Sequence, residues 1–326
     1  MKKLIAAALV GALLLVSGCA VKPAADDGKP VVVTTIFPAY DMARAVFGDS
    51  ADIVLLLKPG MESHSYDPSA RDIVKISLCD LFVYNGGESD RWVENILSST
   101  DGVETFRMTA CVDELYEEHV DGMQEEEHSH DHGEHDGHDE HDHEEYDEHV
   151  WTSPKNALLI LQGLCAKAGE LFPENAADYE RRAAAYAEQI TALDESFAQL
   201  LDGEERPFIF GDRFPLLYFF REYALSYYAA FPGCGSEVEP SAQTVTFLLE
   251  KLRGGDVVLA VFCIELSNRK LAQTLADEAG LPVVEFHTCH NITADDFAAG
   301  ETWVTLMQRN YDALSALEKK EQAWHL

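Results

Sequence analysis

Short β-branched runs alternate along this chain with amphipathic stretches. VVVTTI (31–36) precedes 38–48, DIVLLL (52–57) precedes 68–78, LFVYN (81–85) precedes 90–98, and a weaker VETFRM lies at 103–108. The second half repeats the scheme: PFIF (207–210) then 214–224, SYYAAF (226–231) then 241–253, DVVLAVF (256–262) then 268–279, PVVEF (282–286) then 301–317. Continuous apolar strands separated by helices describe parallel sheets covered on both faces. The pattern predicts an α/β protein of two lobes, each a parallel sheet flanked by helices.

Between the halves, residues 154–202 read as helical, with Ser153 as cap and Pro154 as first helical residue. After a break near Phe172-Pro173, Tyr179, Ala183, Tyr186, Ile190, Leu193, Phe197 and Leu200 advance by alternating steps of four and three. That spacing lays one apolar seam along an unbroken helix. Running from about 174 to 202 at ~1.5 Å per residue, it would be on the order of 40 Å long. A rod of that length joins two lobes at a nearly fixed separation.

The start of the chain changes the picture. MKKLIAAALVGALLLVSGC has a basic opening, an apolar run from Leu4 to Val16, and Ser17-Gly18 before Cys19. That is an export signal, too short to remain as a membrane span. V-S-G-C resembles the bacterial lipobox, so Cys19 is the expected lipidation site, anchoring the protein to the outer face of the cytoplasmic membrane. The expected division is 1–18 signal peptide, 19–30 tether, 31–153 N-terminal lobe with a His-rich loop at 117–148, 154–202 linking helices, and 203–326 C-terminal lobe.

With 24 Lys+Arg against 58 Asp+Glu the net charge is −34. Nucleic acid and anionic lipid surfaces are therefore poor partners. Eighteen of the acids fall between 113 and 148, together with eight histidines and no Lys or Arg. So few apolar residues cannot offset ordering entropy, and the stretch reads as a mobile loop. Its histidines, His128, His130, His132, His135, His138, His141 and His143 with His119 before them, attract borderline divalent cations. Loose tracts give weak, shifting sites, so a tight site must lie elsewhere. After Cys19 six cysteines remain and none forms C-x-x-C, which argues against a zinc ribbon. Cys165 and Cys263 read as small buried hydrophobes, and Cys234 and Cys289 as candidates for a disulfide.

Outside the loop, polar residues cluster just after strands. His64 lies in KPGMESHSYDPS after 52–57, His149 in YDEHVWTSP ahead of a helix cap, Asp212 in FIFGDRF after 207–210, and His287 and His290 in EFHTCHN after 282–286. In open parallel sheets, ligands bind in the crevice beyond the carboxyl ends of the strands. Three imidazoles and one carboxylate satisfy tetrahedral zinc.

At KPGMESHSYDPSARDI, YNGGESDRWVENI, DEHVWTSPKNA and FHTCHNIT the chain resembles the metal-binding lipoproteins of ABC importers, the zinc and manganese solute-binding group called cluster 9. The resemblance runs from about residue 30 to the C-terminus, and a His-rich loop just before the second histidine resembles the zinc branch. It implies His64 and His149 as N-lobe ligands, with Asp212 where relatives carry His or Glu and His290 where they carry Asp. His287 is the reserve ligand, Cys289 a weaker one, and Glu62 a supporting residue. Three nitrogens favour Zn over Mn. The implied function is extracytoplasmic capture of Zn2+ and delivery, as a monomer, to a membrane permease driven by an ATPase; a manganese-binding homologue or a zinc-buffering or adhesive surface lipoprotein is the alternative. A zinc hydrolase is disfavoured, since no H-E-x-x-H is present. A dinucleotide site at Gly233-Cys234-Gly235 is disfavoured because Val238 replaces the third glycine.

Overall fold

The structure, a computed structural model, describes residues 28–61, 66–100, 102–124, 145–233 and 239–324. The signal peptide, Cys19, most of the tether, His64, Cys234 and the seven loop histidines from His128 to His143 lie outside them.

Two four-stranded parallel sheets form as the apolar runs predict. The first contains β1 (Val31–Thr34), β2 (Asp52–Leu55), β3 (Leu81–Tyr84) and β4 (Thr105–Arg107) in the order β2-β1-β3-β4. The second contains β5 (Phe208–Arg213), β6 (Tyr227–Phe231), β7 (Val261–Ile264) and β8 (Val283–Phe286) in the order β6-β5-β7-β8. Central strands are apolar on both faces because both are covered: Val32, Val33, Phe82 and Val83 are fully buried, as are Ile209, Phe210, Val261 and Phe262. In each sheet the strand order reverses beside the first strand, which opens a crevice at the carboxyl ends of β1/β3 and of β5/β7.

The crossovers are helical. In the first half they are α1 (Phe37–Phe47), α2 (Ala70–Leu78) and α3 (Arg91–Leu97). Ser69 and Asp72 close a capping box that starts α2. The linking segment holds α4 (Pro154–Leu171), begun by the Ser153 cap and Pro154, and α5 (Ala176–Leu200). The second half adds α6 (Leu217–Glu222), α7 (Ala242–Gly254), α8 (Lys270–Ala279), α9 (Ala294–Ala299) and α10 (Trp303–Trp324). None of the described helices is long and apolar enough to cross a membrane.

The 25-residue α5 is the expected rod, about 37 Å at ~1.5 Å per residue. Its seam is buried from Tyr179 through Phe197. Near its start Tyr179 packs edge-on against Phe47 of α1 at 5.0 Å, and Arg182 donates to the Val46 carbonyl at 2.8 Å. Near its end Phe197 meets Phe219 of α6 at 5.0 Å and Tyr311 of α10 at 5.8 Å. One end of the rod therefore belongs to each half, and a single hydrophobic core runs from Val32 through the rod to Phe286.

Three expectations shift. The strand expected at 256–262 begins only at Val261, because Val258 N–H is taken by the Pro207 carbonyl before the β8 ladder starts at Val261. Asp212 lies within β5 rather than after it, across a register irregularity between Phe210 and Arg213. The bases of the acidic loop are packed: Tyr116 bridges Tyr146, Asp147 N–H donates to the Leu115 carbonyl at 2.8 Å, and Gln124 N–H to that of Ala230 at 2.9 Å. Residues 113–124 and 145–149 thus form a placed collar whose aromatic and backbone contacts the charge count concealed.

Candidate metal centre

His149 is held by its own segment. The Asp147 carboxylate accepts the His149 backbone N–H at 2.7 Å and lies 3.0 Å from ring Nδ1. Asn85 donates to the Glu148 carbonyl at 2.8 Å, and Glu148 in turn accepts from Ser89 N–H at 2.9 Å. The Tyr218 hydroxyl donates to the Asp147 carbonyl at 3.0 Å. With Nδ1–H turned to a carboxylate, Nε2 is the nitrogen left to present a lone pair, the arrangement seen in carboxylate–histidine–metal triads. Burial pushes the His149 pKa down, but the charges of Asp147, Glu148 and Glu117 outweigh it and leave the net shift upward.

His290 comes from the turn after β8 and meets His149 face to edge, with ring centroids 5.3 Å apart and planes at 77°. Trp151 packs against both, 5.4 Å from His149 and 5.1 Å from His290. The two imidazoles open into a cleft with a cavity of about 120 Å³, lined also by Gly60, Met61, Arg213, Glu265 and Asn291. The loop after β2 is tied to the other half here: Gly60 N–H donates to the Ile292 carbonyl at 2.9 Å, and the Asn291 side chain donates to the Met61 carbonyl.

The other expected residues behave differently. Asp212 does not line the cavity; its carboxylate accepts Arg213 N–H at 2.8 Å and Ile264 N–H at 3.3 Å, joining the tips of β5 and β7. Burial also raises its pKa, although contacts with Ser267 and those amides oppose the rise. His287 likewise stays outside the cavity. Its Nδ1 accepts the Cys289 N–H at 2.9 Å, so the neutral ring carries its proton on Nε2, which is buried without an acceptor. Cys289 is a free, fully buried thiol whose pKa burial drives upward; Cys234, its expected partner, lies outside the described residues. Among the described residues no three His, Cys, Asp or Glu side chains close on a common ion. What the described residues bring together there is a histidine pair.

Sequence reasoning missed Trp151, Thr288 and Glu265. Glu265 carries the same signal as the histidines, a polar residue at a strand's carboxyl end, but the strand expected at 256–262 stopped short of it. Trp151 stood in the quoted DEHVWTSP and reads there as an ordinary apolar residue.

The sequence matches the family described as zinc-uptake complex component A, periplasmic (ZnuA), over residues 32–317. It is 33% identical over 315 residues to the zinc-binding lipoprotein AdcA of Streptococcus pneumoniae, covering 95% of this chain and 61% of that protein. The chain thus spans about three-fifths of the length of that relative. It is 30% identical over 311 residues to the high-affinity zinc uptake system protein ZnuA of Bacillus subtilis, covering 94% of each. The crystal structure of the Zn(II)-bound ZnuA-like domain of Streptococcus pneumoniae AdcA matches with a TM-score of 0.72 at 28% identity, covering 89% of this chain and 99% of that one. With a family match that spans residues 32–317, nearly all of both halves, this chain belongs to the ZnuA family.

Proposed function

We propose that the chain is the extracytoplasmic zinc-capturing component of an ABC importer, held at the membrane by acyl chains on Cys19 and acting as a monomer. It passes Zn2+ to a permease driven by an ATPase and does no chemistry on it. The observation that carries this reading is the His149–His290 pair, one imidazole from each half meeting at 5.3 Å in a cleft. His64 is the third nitrogen. In the sequence it stands three residues beyond cavity-lining Met61. Three imidazoles suit zinc better than manganese. The contacts of Asp212 and His287 support structural roles for both, holding the strand tips and the turn.

Because α5 is packed against both halves, release involves modest motion and the loosening of a ligand in the C-terminal half rather than wide hinge opening. Zinc titration against a competing chelator tests the site. Substituting His64, His149 or His290 by Ala should each weaken binding by on the order of 100-fold or more, the upper end of what even outer partners of a metal cost. Wild-type affinity in all three variants would refute it.

A further inference from the structure

Thr288 is fixed at every polar atom. Its backbone N–H donates to Glu265 Oε2 at 2.7 Å and its hydroxyl donates to Glu265 Oε1 at 2.6 Å. The same hydroxyl accepts the His290 backbone N–H at 3.2 Å. Its carbonyl accepts the Trp151 indole N–H at 2.9 Å. Trp151 lies two residues after His149, and Thr288 two before His290. The segments carrying the two imidazoles are therefore buttoned together from opposite halves.

The hydrogen bonds have one direction. A hydroxyl owns a single proton, and this one points to Glu265 while a lone pair receives His290 N–H. The relay therefore requires Glu265 to accept at both oxygens, which a carboxylate does and a carboxamide cannot. Glu265 is 7% exposed, stands at the end of β7 and lines the same cavity as His149 and His290.

Resting on the zinc-capture reading, we propose that Glu265 is a positioning residue for the cargo ion: through Thr288 it fixes the turn that carries His290, while Trp151 closes that turn onto the His149 segment. The histidine pair is thus held in place before the ion arrives, so little binding energy is spent ordering the turn. Outer partners of this kind typically tune metal affinity by about 10- to 100-fold.

The test uses the full chain and two probes, Zn2+ for affinity and Co2+ for its visible ligand-field spectrum. E265Q and T288V should each weaken zinc binding by about 10- to 100-fold, and T288S, which restores the hydroxyl, should stay within about threefold of the parent. At saturating Co2+, E265Q and T288V should show shifted bands, which a general loss of stability would not produce. Parent-like affinity in both, or weakened affinity with an unchanged saturated spectrum, would overturn the proposal. If E265Q does not fold, T288V, which keeps the carboxylate, decides by the same criteria. H149A and H290A separate the two levels: if they lose zinc while E265Q and T288V do not, only the role of Glu265 falls. If they bind like the parent, the site itself falls and the inference with it.

Discussion

Trp151 donates its indole N–H to the Thr288 carbonyl at 2.9 Å, while its own carbonyl accepts the indole N–H of Trp303 at 3.0 Å. Three buried groups from the His149 segment, the β8 turn and the start of α10 are joined in series beside the histidine pair. Replacing Trp151 by Phe keeps most of the ring and removes the donor, leaving a buried carbonyl unsatisfied. Urea unfolding should show a loss of about 1–3 kcal/mol. Stability unchanged from the parent would mean that this bond contributes nothing. Since Trp151 touches both imidazoles, zinc addition should also change tryptophan emission, and the change should vanish in W151F.

Zinc affinity should fall as pH drops. The imidazole must be neutral to bind metal, and the acidic neighbours of His149 outweigh burial and move its pKa upward. Proton competition therefore begins above the ordinary histidine range. Below pH ~6.5 each titrating imidazole weakens binding by up to about tenfold per pH unit. Calorimetric titration at pH 7.5 and pH 5 checks this, and equal affinities would sink it.

Asp41 of α1 is buried and accepts Trp303 N–H at 2.8 Å, an Arg44 guanidinium N–H at 2.7 Å and the Tyr186 hydroxyl from α5. One carboxylate thus binds the first half, the rod and the last helix. D41A should destabilise by about 2–4 kcal/mol, since it leaves the Trp303 N–H and the Tyr186 hydroxyl without their buried acceptor while Arg44 keeps the Glu301 carbonyl, and Y186F by about 1–2 kcal/mol. Chemical denaturation measures both. A D41A cost below that of Y186F would contradict the assignment.

Asp90, buried just ahead of α3, has its pKa raised to about 6 by burial, against the opposing hydrogen bonds from Gly86, Asn85 and Thr35. The folded state then holds more protons than the unfolded one between about pH 4 and pH 6. This group's contribution to stability falls as pH rises through that window and is level above it, by about 2–3 kcal/mol in total. Comparing urea midpoints at pH 4 and pH 7 in the parent and in D90N isolates the effect, which D90N should flatten. A D90N profile parallel to the parent's would exclude it.

The acidic loop is expected to gather ions and pass them to His149 across its collar. Replacing residues 125–144 by a short Gly/Ser linker should leave the zinc affinity of the cleft within about twofold, because the collar residues that hold His149 remain. It should slow zinc uptake in metal-starved cells. Uptake at the parent rate would show the loop dispensable.

The two halves and the rod were legible because periodicity reports which faces are buried. Val32 and Val33 have to be covered on both sides, and the four-three seam from Tyr179 to Phe197 admits only a helix with one apolar stripe. The positions of His149 and His290 beside element ends were legible for a similarly local reason: each follows or precedes an element whose end is fixed by its neighbours. The partners that the polar residues at the strand ends take were settled by the fold: Cys289 N–H, two residues on, donates to His287 Nδ1, and Ile264 N–H, 52 residues on, draws Asp212 into the strand tips. The clamp of Glu265, Thr288 and Trp151 belongs to the same class. Its members fall in three separate stretches of the chain: the pairing of β7 with β8 brings Glu265 to Thr288, and only the packing of one half against the other brings Trp151 to the same turn.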